Sequence, residues 1–207
     1  PRRTYGWDAT GNRLQSGGSS GTEAYYYGQD SHRLMSVGSR DRTYDAMGGT
    51  TGFDGLTLLY GAAGRLQKVK SGTTILGSYS YNHRGERVHR QSTEGEVVTL
   101  YDETGQWLGE YSAAGMARHE VVWLGNLPIA VFGPASNGSS GLAYIQPDHL
   151  GTPRTIIDSV RDVPIWQWDL DGEAFGADAA NEDPDGDGVA FKFPLRFPGQ
   201  QYMPETG

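Results

Sequence analysis

Three places in this 207-residue chain bring together side chains that chemistry needs. Asp183-Pro184-Asp185-Gly186-Asp187-Gly188 reads D-x-D-x-D-G, the opening of a calcium loop. Alternate carboxylates at that spacing converge on one hard cation at about 2.3–2.6 Å, and a glycine permits the sharp turn. An EF-hand would need a bidentate glutamate at the twelfth position, where Pro194 stands, and no helical pattern flanks the run. Asp183, Asp185 and Asp187 are therefore either a calcium site completed by other oxygens or a solvated acidic turn. Gly17-Gly18-Ser19-Ser20-Gly21 fits G-x-S-x-G with Ser19 as nucleophile. That chemistry needs a strained strand-to-helix turn and a His–acid pair, and this low-complexity stretch precedes no helical pattern. Asp148-His149 has the composition of an acid–base pair, yet beside Leu150-Gly151-Thr152-Pro153 it also reads as a turn whose carboxylate accepts backbone N–H bonds. His32, His83, His89 and His119 lack ligand spacing.

The elements that must position these groups announce themselves by repetition. An aromatic residue precedes a small one by four positions in Trp7–Gly11, Tyr27–Ser31, Tyr44–Gly48, Tyr60–Gly64, Tyr81–Gly85 and Tyr101–Gly105, the aromatics lying 20, 17, 16, 21 and 20 residues apart. Such recurrence marks a repeat array whose units bury their faces only against neighbours. Around each unit, apolar and polar residues alternate with the period of a strand, as in Ser78-Tyr79-Ser80-Tyr81. Gly48, Gly64, Gly85 and Gly105 then fit the last position of a short hairpin loop, where φ is positive and a Cβ is strained. Ser31 replaces that glycine once and calls for a looser or different turn. Leu14, Leu34, Leu66, Val88 and Leu108 follow the turns and are placed to pack beside the aromatic of an adjacent strand. The reading is all-β: consecutive antiparallel hairpins forming a curved sheet.

Composition agrees. The chain is 36% hydrophobic with 31 glycines and 12 tyrosines, a balance that suits short strands and tight turns. Without cysteine it has no disulfide, thiolate nucleophile or thiolate zinc site. No stretch approaches the roughly 20 apolar residues of a membrane-spanning helix. Net charge is −8, with 12 Lys+Arg against 9 Asp+Glu in residues 1–100 and 5 against 16 thereafter. The acidic second half argues against nucleic acid as a partner. The uneven charge suits either a complementary interface within a larger protein or solvated surface.

Residues 1–115 form the repeat array. Residues 116–207 have a different texture: Glu120–Phe132 reads as two apolar strands joined at Gly125-Asn126, with Pro128 implying an edge or a bulge. Further strands are expected at 142–146, 155–158 and 163–170, then a long acidic loop at 173–188, the apolar run 189–193 and a Pro-Gly-rich tail. Both ends read as cut from something longer.

Pro147-Asp148-His149-Leu150-Gly151-Thr152-Pro153-Arg154-Thr155 resembles the Asp-His-Leu-Gly-Ser/Thr-Pro-Arg segment of the RHS (rearrangement hotspot) core, and Arg196-Phe197-Pro198-Gly199-Gln200 resembles the element that follows it in that family. Trp166-Gln167-Trp168-Asp169 and Ala174-Phe175-Gly176 fall between them, with Ala174 where the family has proline. With the Tyr-Asp repeats upstream, the resemblance covers essentially the whole chain. It implies part of a hollow β-cocoon whose wall encloses a variable C-terminal effector, often a toxin, in a bacterial secreted or cell-surface protein. The family's self-cleaving aspartate segment lies beyond the residues present, so the resemblance carries over no catalytic residue. The partners it implies are the rest of the parent polypeptide and the enclosed effector. Asp148, His149, Gly151, Pro153 and Arg154, with the repeat residues Tyr44, Tyr60, Tyr81 and Tyr101 and their glycines, are then structural, and no cofactor is required beyond the calcium open at Asp183, Asp185 and Asp187. Two other functions stay open: a hydrolase using Ser19 or Asp148, and a carbohydrate- or surface-binding module using stacked tyrosines. Unpaired strand edges in a wall segment would favour self-association.

Overall fold

A computed structural model describes residues 3–18, 21–134, 141–169, 176, 178–197 and 199–206. Among them there is no helix, and so none long and apolar enough to cross a membrane. Strands β1 (Thr4–Trp7), β2 (Arg13–Gly18), β3 (Gly21–Tyr27), β4 (Leu34–Val37), β5 (Arg40–Tyr44), β6 (Thr50–Phe53), β7 (Leu56–Tyr60), β8 (Leu66–Ser71) and β9 (Thr74–Tyr81) cover the first part. They continue as β10 (Arg87–Ser92), β11 (Gly95–Tyr101), β12 (Trp107–Ser112), β13 (Ala117–Leu124), β14 (Leu127–Phe132), β15 (Leu142–Pro147), β16 (Pro153–Asp158) and β17 (Pro164–Gln167). Each strand pairs with the one before it, antiparallel throughout, which is the hairpin ladder that the repeats imply. The chain divides into two compact units inside β9, Pro1–Ser78 and Tyr79–Gly207, whereas the change of sequence texture at 115/116 falls in the turn between β12 and β13.

The turns repeat one geometry. The first loop residue donates its N–H to the carbonyl four positions on, and the glycine donates back to the first residue. Examples are Asp8 N to Asn12 O at 2.9 Å with Gly11 N to Asp8 O at 3.2 Å, and Asn82 N to Glu86 O with Gly85 N to Asn82 O, both at 3.0 Å. Gly48, Gly64, Gly85 and Gly105 have φ between 69° and 91°, the left-handed region expected of them. At the serine exception the loop is one residue longer, Gly28 N reaching Arg33 O at 3.2 Å, and the positive φ moves to Asp30. Beside each loop the register slips by one residue at the leading aromatic, so that Tyr44 faces Thr50, Tyr60 faces Leu66 and Tyr101 faces Trp107. The residue two places after the glycine therefore meets the aromatic. Leu14 and Leu108, three places after, instead point outward, 44% and 37% exposed, which corrects the packing expected of them.

The tyrosine hydroxyls tie neighbouring repeats together. Tyr60 donates to Thr50 O at 2.8 Å and Tyr27 to Arg13 O at 3.0 Å; Tyr44 does the same to Leu34 O, and Tyr101 to Arg87 O at 3.2 Å. For Tyr27, Tyr44 and Tyr60 the acceptor is the residue that faces the aromatic of the preceding repeat. Phenylalanine would pack but could not make this link.

In the second unit one sheet face closes into a core. Trp107, Val121, Val131, Ala143, Ile145, Ile156 and Trp166 line it, and Phe193 and Leu195 of the tail cover it. Phe191, Phe193, Leu195 and Phe197 alternate, so an extended segment sends every second side chain into the sheet. Phe193, only 2% exposed, meets Trp166 and Trp107 edge-on at 5.9 and 6.2 Å. Burying such a ring contributes about 1.5–3 kcal/mol. Residues 189–193 are not a strand: they lie over side chains rather than beside a ladder, and Phe191 N reaches Glu182 O at 2.7 Å. Pro128 sits opposite a register slip at Val122/Trp123, in a strand flanked on both sides, so its place is a bulge.

Candidate functional site

Asp148 opens another copy of the repeat turn. Its N–H donates to Thr152 O at 2.9 Å and Gly151 N donates back at 3.0 Å. Its carboxylate accepts the N–H of Leu150 at 2.9 Å and of Thr152 at 3.0 Å. Asp8, Asp45 and Asp102 accept the same two N–H groups within their own turns, at 2.8–2.9 Å. Asp148 differs in also taking Arg154 Nε and Nη2, both at 3.0 Å, while Arg154 lies over the Trp168 ring at 5.0 Å. Burial alone would raise the Asp148 pKa, but these N–H groups and the guanidinium outweigh it and hold the carboxyl low. His149 is exposed, and Pro153 is fully buried beside the turn. Asp148 and His149 make no hydrogen bond to each other, so the pair does not assemble a proton relay.

At the acidic loop, the carboxylate oxygens of Asp183, Asp185 and Asp187 lie within 4.8 Å of one another. Arg161 is bound among them, its Nη1 2.8 Å from Asp185 Oδ2 and 2.9 Å from Asp187 Oδ2. Asp183 accepts Asp187 N at 3.1 Å and Gly188 N at 3.2 Å. The donor chemistry suits a hard cation, but a guanidinium already holds two of the carboxylates, and calcium would have to displace it. Asp158, fully buried, fixes Arg161 by accepting its backbone N–H at 2.9 Å.

Ser19 and Ser20, Ala174 and Phe175, and Pro198 lie outside the described residues. Gly176 has φ +85°, and a Cβ there would come within 2.7 Å of Phe197. Arg196, 9% exposed, points its guanidinium at three rings, Tyr202 at 4.9 Å, Trp166 at 5.2 Å and Trp168 at 5.5 Å, and donates to Phe193 O and Leu195 O. Burial pulls its pKa below the ordinary arginine value. Carbohydrate stacking would need free rings. Tyr27, Tyr44, Tyr60 and Tyr101 have hydroxyls engaged with backbone, leaving Tyr26 and Tyr144 as the most exposed tyrosines at 56% and 54%.

Sequence reasoning missed a cavity of about 270 Å³ beneath the tail, lined by Glu110, His119, Glu182, Phe193, Tyr202 and Pro204 among others. Glu110 and His119 face each other across β12 and β13. Burial raises the Glu110 pKa, opposed by the charges of Arg90, Arg87 and Arg118. His119 rests edge-on against Phe191 and Phe193 at 5.4 and 5.9 Å. Burial, with Arg118 beside it, pushes its pKa down to about 4. Their strand positions and alternation were readable, but the tail that encloses them was not.

No protein-family model and no curated protein matches the chain. Solved structures do. The Tc holotoxin pore of Photorhabdus luminescens aligns with 80% of this chain at a TM-score of 0.56 and 16% identity. A TcdB2-TccC3-TEV structure aligns with 81% at 0.52, and TcdB2-TccC3 with 80% at 0.50, each again at 16% identity. The chain spans only 9–10% of the chains it matches. At this identity the likeness establishes a shared fold, a meander of antiparallel strands.

Proposed function

We propose that this chain is a wall segment of an RHS-type β-shell that encloses a polypeptide effector, often a toxin, and helps deliver it from a bacterial cell. The observation that carries the reading is the match of the strand meander, over four-fifths of its length, to Tc toxin chains. The side chains with the composition for chemistry support a non-catalytic role: Asp148 is committed to a turn and an arginine, and the repeat tyrosines to their neighbours' carbonyls. The partners are then the remainder of the parent polypeptide and its cargo, and an isolated segment self-associates through its strand edges.

The test is limited proteolysis of the full parent polypeptide, followed by mass spectrometry. With the wall intact, the segment C-terminal to the shell survives protease; with residues 79–207 deleted, it is cut at least tenfold faster. Equal cleavage rates with and without those residues would overturn the proposal.

A further inference from the structure

Arg196 is a cation whose fork is unused. Only its Nη1 donates, to Phe193 O and Leu195 O, while the rings of Trp166, Trp168 and Tyr202 lie around the guanidinium. Nε and Nη2, the parallel pair of donors that arginine offers a carboxylate, make no hydrogen bond or ion pair among the described residues. The same chain shows what such an edge holds. Arg154, over the same Trp168 ring, closes its Nε and Nη2 on the Asp148 carboxylate, both at 3.0 Å. Arg196 is buried, and a cation held away from water without a counter-charge is costly, a cost that the rings offset only in part. Glu182 acts on it from beyond ion-pair distance and lines the separate cavity beneath the tail.

Arg196 lines a cavity of its own, about 440 Å³, between the turns at Gly105, Asn126 and Gly151 and the tail at Leu195 and Phe197. That volume lies within the roughly 300–1,000 Å³ of small-molecule sites. Among the described residues that line it, Arg196 is the only charged one, so the wall carries a single positive charge. Trp107, on the same wall, gives an independent sign of an absent acceptor: its indole N–H is buried with no hydrogen bond. Trp123, Leu195 and Phe197 make much of the remaining surface apolar. A monoanion matches this charge, whereas a phosphate dianion would leave one of its charges unmatched. A carboxylate on the Nε–Nη2 edge, with an apolar body along those side chains, satisfies both kinds of surface.

We propose that this cavity is a binding site for a monocarboxylate with an apolar stem, held by the Nε and Nη2 of Arg196. Such a group comes either as a free organic acid or as an acidic side chain of another polypeptide segment. Two probes separate the sources: 4-phenylbutyrate, and the capped tripeptide Gly-Glu-Gly. Each is titrated into the 207-residue chain while the Trp107 indole N–H signal is followed by NMR. A saturable shift with at least one of them is expected, weakened at least tenfold in Arg196→Gln. Saturation by phenylbutyrate alone assigns the site to free acids, and saturation by the tripeptide assigns it to a side chain as well. Asn126→Asp, at an exposed position on the cavity rim, sets a like charge against the ligand and gives a second reading should Arg196→Gln misfold, with about threefold weakening expected. Three results would each overturn the site: no saturable shift with either carboxylate, binding of 4-phenylbutyramide or inorganic phosphate as tight as that of phenylbutyrate, or wild-type affinity in every variant that folds.

Discussion

Replacing His119 with phenylalanine should alter the response of this protein to acid. The ring lies among Phe191 and Phe193, with Arg118 on its own strand, Glu110 opposite on β12, and Arg90, Glu182 and Lys192 around the shared cavity. Burial first, and the Arg118 charge second, lower its pKa from 6.5 to about 4. The folded state therefore resists a proton that the unfolded chain accepts, so stability is full above pH 6.5 and falls as pH drops toward 4. At 1.36 kcal/mol per pKa unit the complete effect is about 3 kcal/mol, of which about 2 kcal/mol is lost between pH 7 and pH 5. Carboxyls held low, such as Asp102, Asp148 and Glu94, lose their contributions below that window, and Glu110, whose pKa is raised, works in the opposite direction. Comparing wild type with His119→Phe removes these shared contributions. Urea unfolding at pH 7, 6 and 5 should place the variant within about 1 kcal/mol of wild type at pH 7 and about 2 kcal/mol above it at pH 5, relative to that offset. Parallel pH profiles would refute a neutral, enclosed His119.

Three further outcomes follow from the same contacts. Tyr60→Phe should cost about 1 kcal/mol in urea unfolding by orphaning the Thr50 carbonyl, whereas Tyr26→Phe, on an exposed ring, should cost nothing measurable. Asp148→Asn keeps an acceptor for Leu150 and Thr152 but weakens the Arg154 bridge, for a loss of about 1 kcal/mol; Asp148→Ala removes both, for about 2 kcal/mol by the same measurement. Calcium should bind Arg161→Met more tightly than wild type by calorimetry, because the guanidinium otherwise holds Asp185 and Asp187; equal or tighter binding by wild type would show that the arginine does not compete.

How much of this was legible depends on whether the cause lies near in sequence. A glycine at the fourth position of each loop is required by a local dihedral, so the loops of Gly48, Gly64, Gly85 and Gly105 could be read directly, and so could the anomaly at Ser31. The same rule extends further than the six aromatic-led units. Tyr111-Ser112-Ala113-Ala114-Gly115 has the identical spacing and closes the same turn, Ser112 N to Met116 O at 2.8 Å, but it follows Tyr101 by ten residues and breaks the period of about twenty. Asp148–Thr152 is hidden differently, since Pro147 replaces the aromatic while the Asp and Gly keep their places. The contacts of the tail had no local signature. Glu205 reaches Arg90 across 115 residues, and Lys192 reaches Glu94 across 98. The alternation of Phe191, Phe193, Leu195 and Phe197 marks an extended segment with one buried face, yet not which surface receives it.

The acidic surplus of the second half acquires a local explanation from these contacts. Asp102, Asp148, Asp158 and Asp183 use their carboxylates to hold backbone N–H groups within a few residues of themselves. Asp185 and Asp187 share Arg161, Glu205 pairs with Arg90, and Glu120 accepts the Tyr111 hydroxyl at 2.5 Å. A chain built from successive tight turns needs short acceptors at the turn openings, and aspartate meets that need at the cost of charge. Of the 16 acidic residues in 101–207, four thus serve turns and four more pair with side chains, so half of that charge already has a role within the chain and calls for no basic partner surface. Glu110 is placed differently: buried on β12, it caps no turn, and the charges of Arg90, Arg87 and Arg118 oppose the rise that burial gives its pKa.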